Sequence, residues 1–262
     1  MKVTVCQLNP SDETLGAELK ALKAHVEAEQ SQFVLMPEMC FSPWLASDKP
    51  ESEAAAQLAW GRAVMAHKAQ IAELTQLGAK AIVGTRPILT QAGSRRNQSY
   101  LWTESRAEAS AIHDKYYLPD EPGYWEASWY ERGNGQFGMA RALGMRIGVM
   151  TCTDMWFFEH ARAYAKSRAD LLCVPRATPH GTTDKWLAGG RAAAVCSGAF
   201  CLSSNLYAPA GAAQNLGGLG WVIDPEGEVL ATTSPDAPFA TVDIDLDQAK
   251  AAKVSYPRYV AE

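Results

Sequence analysis

The chain has 262 residues, of which 47% are hydrophobic, and its formal charge is −5 from 24 basic and 29 acidic residues. This is enough for one large α/β domain or two small ones. No lysine and arginine block provides an electrostatic footprint for nucleic acid, and no apolar run approaches the ~18 residues that span a bilayer. The first residues are typical of a strand rather than a signal peptide, so the expected location is the cytoplasm.

The cysteine and histidine residues are scattered, without a Cys-x-x-Cys pair or a His-x-x-x-His pair. In a large chain without a secretion signal, cysteines of this kind are expected to be reduced. Neither residue type forms a cluster with metal-ligand spacing. We therefore expect no metal site and no cofactor. The six cysteines are Cys6, Cys40, Cys152, Cys173, Cys196 and Cys201.

Short apolar runs that predict strands alternate along the chain with stretches that have helical spacing. Strands are predicted at 3–7, 33–36, 81–85, 100–102, 110–113, 146–150, 171–174, 200–203, 221–223, 229–231 and 240–242. Helices are predicted at 13–28, 52–77, 159–167, 185–197 and 245–253, and long loops at 41–50, 116–136 and 204–219. The alternation indicates an α/β fold. We predict a single domain at 1–245, followed by a C-terminal helix and tail at 246–262.

Three reactive side chains follow predicted strands. Glu38 comes after strand 33–36 and Pro37, Lys115 after strand 110–113, and Cys152 after strand 146–150. In α/β sheets, ligands bind at the carboxyl ends of strands. Each residue alone also has an ordinary structural explanation: a surface glutamate, a lysine that extends to solvent, or a small core cysteine. Together, the three indicate one catalytic site.

The order and context of these residues resemble the nitrilase, or carbon–nitrogen hydrolase, superfamily, whose active site is a Glu-Lys-Cys triad. The resemblance covers nearly the whole chain and implies a four-layer αββα sandwich that pairs into a homodimer or a larger assembly. It rests on Pro37-Glu38, Lys115-Tyr116-Tyr117-Leu118-Pro119 and Cys152-Thr153-Asp154, with further matches at Asn97, Arg191, Asn205 and Gly220.

The loop at 119–126 resembles that of N-carbamoylputrescine amidases and their neighbours, in which a second glutamate lines the site. Glu126 is the matching residue, and Glu121 is an alternative that precedes Pro-Gly. The sequence departs from the superfamily at Thr153, where a bulky residue often follows the cysteine. This difference affects the expected shape of the acyl pocket.

The resemblance assigns a catalytic role to each residue. Cys152 is the nucleophile, Glu38 is the general base and acid, and Lys115 stabilises the oxyanion. The backbone N–H of Thr153 is a second candidate oxyanion donor. Glu126 is expected to hold Lys115 or to orient the substrate amide.

The expected substrate is a small molecule with an amide, carbamoyl or nitrile group. Superfamily members that bind carboxylates often have arginine just after the cysteine, where this chain has an aromatic segment that includes Trp156. We therefore expect the pocket to favour a neutral or amine-bearing substrate, with Tyr116 and Thr153 also binding it. Arg176 could instead reach the pocket and reverse this preference. The candidate partners for an amine are Asp120, Glu121 and Asp154.

Alternative functions remain open at this point. A nitrilase that acts on a nitrile has the same triad, and a non-catalytic binding or scaffold member has the same fold. Acyltransferases that share the acyl-enzyme usually carry membrane spans. A Cys-His hydrolase is a weaker interpretation, because none of the five histidines has a motif-like context. The predicted function is hydrolysis of an amide or carbamoyl carbon–nitrogen bond with release of ammonia.

Overall fold

The computed structural model describes residues 1–106 and 108–260. The strands in this part of the chain are β1 (Lys2–Leu8), β2 (Phe33–Leu35), β3 (Ala81–Leu89), β4 (Arg95–Thr103), β5 (Ser110–Asp114), β6 (Met139–Ala142), β7 (Met145–Val149), β8 (Leu171–Arg176), β9 (Phe200–Leu206), β10 (Trp221–Ile223), β11 (Val229–Thr232) and β12 (Phe239–Asp243). The α-helices are α1 (Leu15–Glu29), α2 (Glu53–Ala72), α3 (Glu126–Trp129), α4 (Phe158–Lys166), α5 (Thr183–Ser197) and α6 (Leu246–Ala252).

The strands form two sheets that share an edge. The first has the order β5-β4-β3-β2-β1-β12, and the second has the order β6-β7-β8-β9-β10-β11. Gln7 and Leu8 at the end of β1 pair in parallel with Asn205 and Leu206 of β9, which joins the sheets into one nearly closed surface. The carboxyl ends of β1 and β9 therefore lie side by side.

Side chains from the inner faces of both sheets pack together, as Val5 and Leu35 of the first sheet do with Val149 and Leu202 of the second. The alternate residues of the same strands face the helices. Helices α1 and α2 cover the first sheet and α4 and α5 cover the second. Since both faces of the central strands are buried, their sequences are largely apolar, as in Phe33–Leu35 of β2. The predicted αββα sandwich is confirmed.

The C-terminal segment packs on the sandwich. Ala249 of this segment belongs to the core between the sheets. The Arg258 guanidinium is buried, and its Nε donates to the Ala252 carbonyl over 2.8 Å. The division at residue 245 stays a prediction. Residues 261 and 262 of the predicted tail lie outside the described residues.

The element boundaries differ from the predicted ones where short elements interrupt a loop or helix. The predicted helix 52–77 ends at Ala72 and is followed by a separate 3-10 turn, Leu74–Leu77. Helix α3 lies inside the predicted loop 116–136, and β6 pairs with β7 although no strand was predicted there. No helix in the described ranges has the length and apolar character needed to cross a bilayer.

Candidate active site

Glu38 lies just beyond β2, where the chain leaves the sheet at Pro37. Its side chain is fully buried. Oε1 accepts hydrogen bonds from Lys115 Nζ and Asn97 Nδ2, both over 2.8 Å. Oε2 has no hydrogen-bond partner within the described ranges. This second oxygen is therefore available to accept a proton.

Lys115 follows β5, and its backbone N–H donates to the Asn97 carbonyl over 2.8 Å. Asn97 of β4 thus positions both Lys115 and Glu38. The buried Nζ also lies 2.5 Å from Oε2 of Glu126. Burial lowers the pKa of Lys115, but attraction to Glu126 and Glu38 outweighs it and holds the pKa well above its ordinary value. The side chain is therefore a permanent buried cation.

Glu126 is the first residue of α3 and is fully buried. Oε2 accepts a short hydrogen bond from the Tyr130 hydroxyl, one turn further along the chain, and Oε1 is without a partner in the described structure. Burial raises the pKa of Glu126 to about 7, against the opposing effect of Lys115. Its carboxyl group therefore titrates near neutral pH.

Cys152 occupies the sharp turn that follows β7 and begins the 3-10 helix Cys152–Trp156. Its φ is +50°, in the left-handed region that residues other than glycine rarely adopt. Such strain is found at functional sites, where the surrounding structure holds it. The Sγ atom and oxygens of the Glu38 and Glu126 carboxylates all lie within 4.8 Å of one another. Since Lys115 contacts both carboxylates, the four predicted catalytic residues converge.

The environment of Cys152 does not favour the thiolate form of its side chain. Burial and the neighbouring Glu38 carboxylate raise its pKa, and the Lys115 ammonium offsets only part of the rise. The thiol is therefore protonated at neutral pH. A nucleophilic role requires a base that removes the proton as the sulfur attacks.

Asp154 connects the lysine segment to the cysteine turn. Its Oδ1 accepts backbone N–H bonds from Tyr116 at 3.2 Å and Tyr117 at 2.9 Å. Its Oδ2 accepts from the Thr151 N–H at 3.2 Å and contacts Nε2 of His113 at 2.9 Å. One buried carboxylate thus fixes the segments on both sides of Lys115 relative to Cys152.

Glu38, Glu126 and Cys152 also form a donor set that could surround a cation. The Lys115 ammonium already lies 2.8 Å from one of these carboxylates and 2.5 Å from the other. Its charge already pairs with the two carboxylates that would bind a metal ion. The set is therefore suited to a lysine-centred site.

A cavity of about 320 Å³ opens directly above Cys152. Its walls combine the predicted residues Glu126, Thr153 and Trp156 with two charged side chains, one acidic and one basic. The full lining is Pro119, Glu121, Tyr124, Glu126, Cys152, Thr153, Trp156, Ala177, Thr178, Pro179, Thr182, Lys185 and Trp186.

Two predicted substrate-binding residues are not among the described residues that line this cavity. Tyr116 packs against Tyr117 and lies under the Arg132 guanidinium. The buried Arg176 guanidinium donates to Ser203 Oγ at 2.7 Å, to Thr178 Oγ1 at 2.8 Å and to the Leu219 carbonyl at 2.6 Å, and stacks on Trp221. The structure therefore gives Arg176 an internal role, since its donors face protein acceptors.

The structure also distinguishes among the three candidate partners for a substrate amine. Asp154 is fully buried and its oxygens are engaged as described above. Asp120 is exposed, accepts a hydrogen bond from Ser128 Oγ at 2.8 Å, and is not part of the described lining. Of the three candidates, Glu121 is the one that reaches the cavity.

The sequence did not reveal three features of the site. These are the Tyr130 hydrogen bond to Glu126, the contacts by which Asp154 joins the lysine segment to the cysteine turn, and the position of Lys185 in the cavity lining. Tyr130 has helical spacing from Glu126, but the helix is only four residues long and interrupts a predicted loop. Lys185 lies in the first turn of α5, distant in sequence from every motif. The superfamily match at Asn97 indicated that this residue is important, but it did not reveal the hydrogen bond to Glu38.

Comparison with known proteins agrees with this geometry. The family described as carbon-nitrogen hydrolase matches residues 2–254. The chloroplastic omega-amidase of Arabidopsis thaliana is 27% identical over 97% of this chain and 70% of its own length. N-carbamoylputrescine amidase from the same plant is 36% identical, but over 29% of this chain and 25% of its own.

Solved structures share the fold at lower identity. A carbon-nitrogen hydrolase from Helicobacter pylori G27 has a TM-score of 0.83 and 17% identity, with 99% of this chain and 94% of that chain covered. A mutant amidase from Nesterenkonia sp. AN1 has a TM-score of 0.75 and 20% identity, with 95% of each chain covered. The family match spans nearly the entire sequence, and the fold and the convergent residues agree with it. The chain therefore belongs to the carbon–nitrogen hydrolase family of the nitrilase superfamily and is a carbon–nitrogen hydrolase.

Proposed function

We propose that this enzyme hydrolyses the carbon–nitrogen bond of an amide or carbamoyl group in a small molecule, through an acyl-enzyme on Cys152. The observation that carries the proposal is the convergence of a buried thiol, a carboxylate with a free oxygen and a buried ammonium beneath one cavity. These are the nucleophile, the base and the electrostatic stabiliser that attack on an amide requires.

In the first half-reaction, the Cys152 sulfur attacks the carbonyl carbon while Glu38 Oε2 takes the thiol proton. A carbon–sulfur bond forms, and the π electron pair of the carbonyl moves onto its oxygen. When the carbonyl reforms, the carbon–nitrogen bond breaks and Glu38 returns the proton to the departing nitrogen. Ammonia leaves, and a thioester remains.

In the second half-reaction, Glu38 takes a proton from water as the water oxygen attacks the thioester carbon. Collapse of this intermediate breaks the carbon–sulfur bond, and the proton passes from Glu38 to the sulfur. The acid product leaves with Cys152 restored. One carboxylate can serve both steps because its Oε1 stays bound to Lys115 and Asn97 while Oε2 carries the proton.

The oxyanion of both intermediates needs nearby donors. We assign Lys115 Nζ and the Thr153 backbone N–H to this role. The Thr153 N–H lies in the first turn of a 3-10 helix, where backbone donors have no partner within the helix. Donors of this kind are worth roughly 10²–10³-fold in rate.

Glu126 has two functions in this proposal. Its Oε2 holds Lys115 in place together with Glu38. Its free Oε1 accepts an N–H of the substrate amide and so directs the carbonyl oxygen toward Lys115. A nitrile has no N–H group to donate to this oxygen. This contact favours an amide or carbamoyl substrate over a nitrile, in agreement with the names omega-amidase, N-carbamoylputrescine amidase and citrullinase among the relatives.

The test is ammonia release by the purified enzyme and by Cys152→Ala over small amides, carbamoyl compounds and nitriles. We expect the enzyme to release ammonia from amides or carbamoyl compounds and the variant to be inactive with its fold retained. Cys201→Ala is the matched control, because Cys201 is buried outside the cavity. Activity on nitriles alone would make the chain a nitrilase, and no turnover would favour a scaffold. Activity retained by Cys152→Ala would refute the assigned nucleophile.

A further inference from the structure

The cavity above Cys152 carries two exposed side chains of opposite charge. Glu121 lies in the loop before α3, and Lys185 lies in the first turn of α5. Neither side chain has an ion-pair partner in the part of the chain that the structure describes, and they do not pair with each other. Both charges are therefore available to a molecule in the cavity.

The other charges near the cavity are already engaged. Glu126, which lines the cavity, is paired with Lys115. The aromatic residues Tyr124, Trp156 and Trp186 also line it. Glu121 and Lys185 are thus the charged groups of the lining that can distinguish substrates by their tails. A cavity of about 320 Å³ is at the small end of ligand sites, which run from ~300 to ~1,000 Å³.

We propose that the cavity selects a zwitterionic tail, so that the substrate is an ω-amide or ω-carbamoyl derivative of an α-amino acid. The scissile carbon meets Cys152, the α-ammonium group pairs with Glu121, and the α-carboxylate pairs with Lys185. A tail with one charge satisfies one of these groups and is repelled by the other. Glu121 and Lys185 together therefore favour a zwitterionic tail over a tail with one charge or none. This inference rests on the proposed amide hydrolysis.

The inference replaces the sequence-based expectation of a neutral or amine-bearing substrate. That expectation followed from the absence of arginine after Cys152. Lys185 supplies a cation from a different element of the fold. A carboxylate in the cavity is therefore not left without a counter-charge.

The experiment uses four amides with the same carbon chain to the scissile group. Glutamine carries both charges, glutaramate lacks the amine, γ-aminobutyramide lacks the carboxylate, and butyramide lacks both. Ammonia release gives kcat/KM for each. We expect glutamine to exceed each singly charged amide by about fivefold or more, the effect of a well-placed exposed ion pair.

Two variants assign the preference to residues. Lys185→Gln should lower kcat/KM for glutamine and glutaramate about fivefold relative to butyramide. Glu121→Gln should do the same for glutamine and γ-aminobutyramide. The matched controls are Asp184→Asn and Asp120→Asn, which remove exposed charges adjacent in sequence but outside the described lining. These controls should retain the wild-type ratios.

The outcomes separate this inference from the proposed function. Hydrolysis of butyramide with equal ratios across the four amides, or with ratios that neither variant changes, overturns the zwitterion inference and leaves amide hydrolysis standing. No ammonia from the four amides and none from carbamoyl compounds overturns both. A glutamine preference that each variant alters in its own direction supports the assignment.

Discussion

The Lys115 ammonium and the Glu126 carboxylate form a fully buried ion pair, in which Nζ lies 2.5 Å from Oε2. Glu38 contacts the same ammonium from the other side at 2.8 Å. One cation thus separates two carboxylates that would otherwise repel each other. This relationship places the proposed oxyanion donor, Lys115, between the proposed base, Glu38, and Glu126, which we assign to substrate orientation.

Both Lys115→Met and Lys115→Arg should remove most of the activity. Lys115→Met removes the buried charge and should lower kcat by at least ~10²-fold. Lys115→Arg should not restore it, because a planar fork cannot reproduce a compact ammonium held between two carboxylates. Ammonia release measures both variants, with the exposed Lys68→Met as control. Near wild-type activity of Lys115→Arg would contradict the placement.

Alkylation of Cys152 should depend on Glu38. The thiol is protonated because burial and Glu38 raise its pKa, so its reaction with iodoacetamide needs a base. We expect Cys152 to react first and Glu38→Gln to slow this reaction at least about tenfold. Peptide mapping by mass spectrometry gives the rates, and Cys196→Ala removes the half-buried competitor. Equal rates with and without the carboxylate would show that Glu38 is not the base.

Glu126→Gln should change the pH dependence of stability. Because burial raises the pKa of Glu126 from 4.5 to about 7, the folded protein binds this proton more tightly than the unfolded chain. The resulting stability is complete below 4.5 and is lost as pH rises to about 7. The Gln variant should therefore gain in free energy of unfolding relative to wild type, on the order of 3 kcal/mol over that range.

Urea denaturation at about pH 5 and about pH 8 measures this difference. Glu104→Gln, an exposed site, is the matched control and should follow wild type at both pH values. If the difference between Glu126→Gln and wild type stays constant, Glu126 does not hold a proton more tightly in the folded state.

Asp154 should act as a positioning residue rather than a substrate ligand. Asp154→Asn keeps the side-chain shape but loses a carboxylate that joins Tyr117 to Thr151 and His113. We expect kcat to fall about tenfold or more with little change in KM. Asp154→Ala leaves several buried donors unpaired and should cost at least ~3 kcal/mol of stability. A selective rise in KM for amine-bearing substrates would indicate contact with substrate instead.

The convergence of Glu38, Lys115 and Cys152 could be predicted because each residue follows a short apolar strand in a distinctive local context. Glu38, Lys115 and Cys152 need only their neighbours in sequence to be recognised. The alternation of strands and helices is enough for an α/β fold, and the family resemblance implied the αββα sandwich. The contacts between sheets then bring the three residues together.

Residues defined by long-range contacts could not be predicted in the same way. Arg176 donates to a hydroxyl 27 residues away and to a carbonyl 43 residues away, and nothing local indicates that its guanidinium is buried. Lys185 is an ordinary helix residue until the packing of α5 brings it to the cavity. The charge of the pocket is therefore a property of the tertiary structure. The predicted homodimer stays a prediction.

The most direct test of the central claim is detection of the acyl-enzyme. During turnover of the best amide, acid quenching followed by mass spectrometry should reveal Cys152 carrying the acyl group of the substrate. Hydroxylamine added in competition with water should divert product to the hydroxamic acid, and Cys152→Ala should give neither adduct nor hydroxamate. Sustained ammonia release with Cys152 unmodified, no hydroxamate and full activity in Cys152→Ala would contradict the account.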